Sequence, residues 1–194
     1  MTFILGLTGS IGMGKSTTAA LFKKHGIPVY DADQTVHDLY RGRLVPLIED
    51  AFPGSTDSGV VDRSKLAAQV IGHPDKLKQL ESIVHPVVQE EQERFLKRHF
   101  NSPIVVLDIP LLFENAKDLI CNAVVVVSTD AKTQRERVLA REGMTVEKME
   151  ALLTRQVPDV EKRQRAQFVI DTSQNIPHAE RQVLSILKAL SGRS

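Results

Sequence analysis

Residues 9 to 16 read GSIGMGKS, and no other stretch narrows the possible folds as far. The spacing is G-x-x-x-x-G-K-[ST]. It follows an apolar run, TFILGLT (2–8), and leads into TTAALFKKHG, whose apolar spacing predicts a helix over 16–25. A glycine loop between a strand and a helix has a specific physical use. Glycines tolerate positive φ, so successive backbone N–H groups can turn inward around phosphate oxygens, and the helix N-terminus adds positive potential. Lys15 is placed to neutralise β- and γ-phosphate charge, and the Ser16 hydroxyl to ligate Mg²⁺. The bland alternative is a tight turn with no ligand. At an average glycine usage of about 7%, the four fixed positions match by accident in well under roughly 1% of chains this long. The pattern therefore points to a nucleoside triphosphate.

Four further runs are short and apolar: IPVY (27–30), IVVLDI (104–109), AVVVVS (123–128) and FVID (168–171). They are rich in Ile and Val and do not alternate with polar residues. That is the pattern of parallel strands covered on both faces. Helical patterns at 34–50, 132–142, 145–155 and 178–190 separate or follow them. The expected fold class is α/β, a three-layer sandwich around a parallel five-stranded sheet. The stretch 34–101 departs from this alternation. It holds helical patterns and no strand pattern, and FPGSTDSG (52–59) reads as a loop. We expect one domain over 1–194, with 34–101 as a helical acceptor-binding insertion and about 132–155 as a lid.

Composition excludes several classes. The chain is 42% hydrophobic and 25% charged with a net charge of +1, as in a globular protein able to bury a core, and not a polybasic binder. No nucleic-acid, membrane or obligate protein partner is expected. Cys121 is the only cysteine and sits beside AVVVV, where a small core residue belongs. No Cys/His metal cluster is apparent. No run reaches the length of a membrane span, and the first residues lack the basic start of a signal peptide. A cytoplasmic setting is the default expectation.

GTPases normally carry N-K-x-D and D-x-x-G motifs. Neither occurs, and NAKD (115–118) has the letters in the wrong order. A small kinase remains, and it needs cations at the transferring phosphoryl group. QRERVLAR (134–141) supplies Arg135, Arg137 and Arg141, and the last two share one helix face. They read either as a lid over the phosphates or as a solvated face paired with Glu136 and Glu142. Asp108, at the end of a strand, reads as a carboxylate near Mg²⁺ or as a partner of the glycine loop. Leu111, Leu112 and Phe113 read as core or as an apolar wall for the acceptor. Glu114 is a candidate acceptor contact or a solvated carboxylate. Asp62 is a helix N-cap candidate, and Arg63 reads more as a surface ion pair than as a phosphate contact.

Taken in order, these segments resemble the dephospho-CoA kinase family. The similarity runs from LTGSIGMGKST (7–17) through DAD (31–33), DRSKL (62–66), LESIVHPVV (80–88), DIPLLFE (108–114), QRERVLAR (134–141) and RQ (155–156) to QFVIDTS (167–173). The glycine loop alone is generic; the order DAD, LExxxHP, PLLFE is specific. The resemblance implies transfer of the ATP γ-phosphoryl group to the ribose 3′-hydroxyl of dephospho-CoA with Mg²⁺. It implies nucleotide binding by Gly9, Gly12, Met13, Gly14, Lys15, Ser16 and Thr17. It makes Asp33 the acceptor's base, puts His85 in the acceptor region, and makes Arg137 and Arg141 lid arginines. Ser10 and Met13 depart from the usual glycine and small residue, both at wild-card positions.

Two readings are weighed for His85. Pro86 follows it and is suited to start a helix, so His85 reads as a capping or packing residue at that junction, or as a contact to the acceptor. Asp33 without its family context reads as a helix N-cap, and Asp31 as the end of a strand. Two rival functions stay open: another small-molecule kinase, and a nucleotide-dependent switch without phosphotransfer.

Overall fold

The five apolar runs become one sheet. The computed structural model describes residues 2–192. In chain order the strands are β1 (Phe3–Thr8), β2 (Val29–Asp31), β3 (Thr56–Asp57), β4 (Val60–Val61), β5 (Ile104–Asp108), β6 (Ala123–Ser128) and β7 (Phe168–Asp171). The helices are α1 (Lys15–Lys24), α2 (Ala32–Leu39), α3 (Leu44–Ala51), α4 (Arg63–Val70), α5 (Pro74–Arg98), α6 (Ala131–Leu139), α7 (Val146–Leu153), α8 (Asp159–Arg165) and α9 (Ile176–Ser191). Residues separate into two units. One runs up to Tyr30 and resumes at His99; the other is Asp31–Arg98.

In the first unit the sheet order is β2-β5-β1-β6-β7. β1 lies in the middle and pairs in parallel with β5 and β6, and β6 pairs in parallel with β7. Every residue of β5 and β6 is buried, which is why neither strand alternates in sequence. Leu5 and Leu7 of β1, Phe22 of α1 and Val183 of α9 are fully enclosed in one cluster. Each such side chain contributes about 1.5–3 kcal/mol by leaving water. This core fixes the carboxyl end of β1, where the glycine loop begins.

The second unit has its own core, built from Leu39, Leu44, Ile48, Phe52, Val61, Leu66, Val70 and Val87. Here several sequence expectations fail. The helix expected over 34–50 is two helices, broken by the turn at Tyr40–Arg43. Gly42 sits in that turn, and Pro46 falls in the first turn of α3, where its missing N–H leaves no bond unmade. The loop 52–59 also hides a hairpin. Ser58 (φ 51) and Gly59 (φ 79) make a two-residue turn between β3 and β4, each strand too short to show a period. Pro86 does not start a helix; it lies inside α5, so His85 is mid-helix and exposed, with no junction to cap. A proline inside a helix costs about 3 kcal/mol. Packing of Ile83, Val84, Val87 and Val88 against the core offsets that cost and keeps the helix continuous. Among the described residues no helix is long and apolar enough to cross a membrane.

Phe52 is enclosed at the centre of the second core (2% exposed). Phe52→Ala should destabilise the protein by about 3–5 kcal/mol, read from urea unfolding. A loss under about 1 kcal/mol would mean that this core does not hold the insertion together.

Candidate active site

The glycine loop is open exactly where an anion would sit, and its own backbone explains why. Gly12 (φ 81) and Gly14 (φ 91) both occupy the left-handed region. Met13 N–H donates back to Ser10 O at 3.2 Å, and Thr18 N–H to Gly14 O at 3.1 Å. Among the described residues the N–H groups of Gly12, Gly14, Lys15, Ser16 and Thr17 have no partner. α1 has no side-chain cap and no acidic residue in its first turn. A helix N-terminus left in this state attracts phosphate through its N–H groups and its dipole.

The loop is held from outside by neighbours distant in sequence. A Cβ at Gly12 would come within 2.5 Å of Val138 Cγ2 and 3.0 Å of Gln134 O, so α6 closes directly on it. Gln134 Nε2 donates to Ile11 O at 2.8 Å, and Ile11 N–H donates to Gln156 Oε1 at 3.2 Å. Met13 points inward: its side chain is buried, and its sulfur accepts the Thr129 N–H at 3.2 Å. That accounts for a large residue at a wild-card position of the loop. Thr172 Oγ1 donates to Met13 O at 2.7 Å.

Lys15 Nζ pairs with Asp108 Oδ1 at 2.5 Å. Asp108 therefore partners the glycine loop, one of its two expected roles, and it ends β5 as the apolar strand predicted. Ser16 and Thr17 are exposed on the first turn of α1.

The two lid candidates, Arg137 and Arg141, differ. Arg137 donates through Nη1 to Thr172 Oγ1 at 3.0 Å and through Nη2 to Thr172 O at 2.7 Å. It braces the loop's neighbour. Arg141 is exposed and has no side-chain partner among the described residues. Glu114 is not solvated. Its Oε1 accepts the Val157 N–H at 2.8 Å and lies 2.9 Å from Nζ of the fully buried Lys162. Burial alone would raise the carboxyl's pKa, but the lysine and the Val157 N–H more than offset it, and it stays below the usual range. Leu111 is exposed, while Leu112 and Phe113 are core.

In the second unit the paired carboxylates of DAD separate into two jobs. Asp31 is the N-cap of α2, its Oδ1 accepting the Gln34 N–H at 2.9 Å. The expected cap, Asp33, is instead the second residue of the helix, exposed, and lines a cavity of about 680 Å³. Arg63, Tyr40, Val36, Leu66 and Val70 form much of the rest of the wall. Arg63 makes no ion pair among the described residues; its guanidinium lies over the Tyr40 ring, 5.3 Å from the centroid. Burial raises the Tyr40 pKa, against a smaller lowering by Arg63. Asp62 caps α4 as expected, accepting from Ser64 and Lys65. His85 is not part of this wall. The surface ion pair expected of Arg63 is not formed among the described residues, and no role for Tyr40, Gln134 or Thr172 was read from the sequence. Gln134 and Thr172 lie in two segments of the resemblance, QRERVLAR and QFVIDTS, which marked the region but not these side chains.

Comparison with known proteins agrees with this geometry. A family model described as dephospho-CoA kinase matches residues 3–178. A dephospho-CoA kinase from Brucella melitensis is 52% identical over 98% of this chain and 96% of its own length. One from Bradyrhizobium diazoefficiens is 55% identical over 95% and 94%. A Thermus thermophilus protein of known structure superposes with a TM-score of 0.85 at 35% identity, covering 97% of this chain and 98% of its own.

The closeness of α6 to the loop is testable. Gly12→Ala forces a left-handed conformation worth about 1–2 kcal/mol of strain and pushes α6 away. Calorimetric titration should show ATP affinity reduced at least about tenfold. Unchanged affinity would mean that the observed loop is not the binding conformation.

Proposed function

The chain belongs to the dephospho-CoA kinase family, and on that premise we propose how its residues divide the transfer of the ATP γ-phosphoryl group to the ribose 3′-hydroxyl of dephospho-CoA. The products are coenzyme A and ADP. The observation that carries the division is the pairing of two features in one chain: an unfilled N–H nest at α1, and a cavity bearing one carboxylate and one guanidinium.

The N–H groups of Gly12, Gly14, Lys15, Ser16 and Thr17 receive the phosphate oxygens of ATP, with Gly9 and Met13 shaping the turn. The Lys15 ammonium neutralises β/γ charge once triphosphate competes with Asp108 for it. The Ser16 hydroxyl and the Asp108 carboxylate are hard oxygen donors, and they fit Mg²⁺, which commonly takes one or two carboxylates together with substrate phosphates. Mg²⁺ bound there supplies charge to offset that of the β- and γ-oxygens.

The acceptor occupies the cavity of the second unit. Arg63 meets its phosphates, and the apolar wall of Val36, Leu66 and Val70 meets its uncharged parts. Asp33 orients the 3′-hydroxyl and takes its proton as the new O–P bond forms and the bond to the β-phosphate oxygen breaks. Arg141, exposed and without a side-chain partner among the described residues, closes over the transferring group, while Arg137 acts through Thr172 on the loop. Leu111 offers an exposed apolar edge. His85 faces solvent on α5 and stays outside this division. Catalysis rests on positioning and electrostatics, since a loose transition state asks little of a base. A cytoplasmic setting belongs to the same reading.

Asp33→Asn keeps the shape of the side chain and removes its charge. It should lower kcat by about 10²–10⁴-fold while ATP affinity, measured by titration, stays within about twofold. A near-normal kcat would remove Asp33 as the group that handles the proton.

A further inference from the structure

Both peptide groups flanking Ile11 are held by side chains from opposite ends of the segment 134–156. Gln134 Nε2 fixes the carbonyl, and Gln156 Oε1 takes the N–H. Gln134 is buried and Gln156 half-buried. The consequence lies in the next residues. Ile11 N–H is thus turned onto Gln156 and Met13 N–H onto Ser10, and among the described residues the Gly12 N–H between them has no partner. The Gly12 N–H shares its peptide with the Ile11 carbonyl that Gln134 holds, and Gln156 fixes the peptide before it, so the two together set a glycine at φ 81 that is otherwise free to rotate.

Gln156 is itself fixed. The next residue, Val157, donates its N–H to Glu114 Oε1 at 2.8 Å, and the same oxygen lies 2.9 Å from Lys162 Nζ. Lys162 is fully buried, and Glu114 Oε2 is enclosed without a hydrogen-bond partner among the described residues. A buried ion pair of this kind is a poor device for stability alone, because desolvation offsets its attraction. It is well suited to fixing geometry. A chain of contacts therefore runs from the loop after β5, through residues 156 and 157, to the glycine loop.

We propose that Gln156 is a positioning residue that orients the phosphate-binding loop through Ile11, and that the buried Glu114–Lys162 pair holds Gln156 in place. Glu114, which the sequence offered as an acceptor contact, thereby serves the nucleotide. The inference rests on the glycine loop binding ATP.

The test uses the whole enzyme and a non-hydrolysable ATP analogue in calorimetric titration, with steady-state kinetics beside it. Gln156→Met keeps length and removes the acceptor. It should weaken analogue binding and raise the KM for ATP about three- to tenfold, with the KM for dephospho-CoA within about twofold. Glu114→Gln keeps an acceptor for Val157 N–H but strands Lys162; Glu114→Gln with Lys162→Met removes both charges and guards against misfolding. Either should weaken the analogue in the same direction. Combined with Gln156→Met, the loss should be smaller than the product of the separate losses, because both act through Ile11. Analogue affinity unchanged in folded Gln156→Met, or fully multiplicative losses, would overturn the proposal. Failure of the wild-type protein to bind the analogue would instead overturn the nucleotide reading beneath it.

Discussion

The first unit depends on one tight approach: α6 packed against a glycine that has neither a Cβ nor an ordinary φ. At Gly12 a methyl group would meet Val138 and the Gln134 carbonyl. That contact holds the loop in its open turn, and the loop leads into the first turn of α1, whose N–H groups, as at any uncapped helix start, have no partner among the described residues. Leaving a buried donor such as that of Gly12 unpaired costs free energy. The core of β1, α1 and α9 supplies it, and an anion recovers it. Fold stability and phosphate affinity are in that sense coupled at one residue.

How much was legible in the sequence follows from the range of the interactions involved. The strands were plain because β5 and β6 are buried on both faces, so unbroken Val and Ile left no other reading. The glycine loop was plain because its chemistry is local. The second unit was harder. Its hairpin strands are two residues each, below any period, and Pro86 misled because tertiary packing outweighs a proline's local preference. The caps of DAD were read one carboxylate too late: Asp31 ends a strand and starts a helix at once, and a pattern read element by element assigns it only the first role. Gln156 stood in the RQ pair of the resemblance, but its role was not readable. Its partner is 145 residues away, and a single glutamine carries no signal of that.

Shifting the cap to Asp31 also clarifies Asp33. A capping carboxylate is tied down by backbone N–H groups, whereas Asp33 is exposed in a wall shared with Arg63 and Tyr40. A carboxylate that handles a substrate proton needs that freedom. The reverse holds for Glu114. It sits in a family-like segment expected to face the acceptor, yet its oxygen is committed to Lys162 and Val157. In both cases the hydrogen-bond partner, more than the motif, decides what the residue can do.

The account's central claim is that this chain is a kinase committed to one acceptor. The direct measurement is ADP release from ATP by the purified protein, with dephospho-CoA set against adenosine, AMP, gluconate and shikimate. The account predicts ADP formed one-for-one with coenzyme A in the presence of dephospho-CoA, and little with the others. Good turnover of another acceptor without turnover of dephospho-CoA would contradict it, as would nucleotide binding that yields no acceptor-dependent ADP.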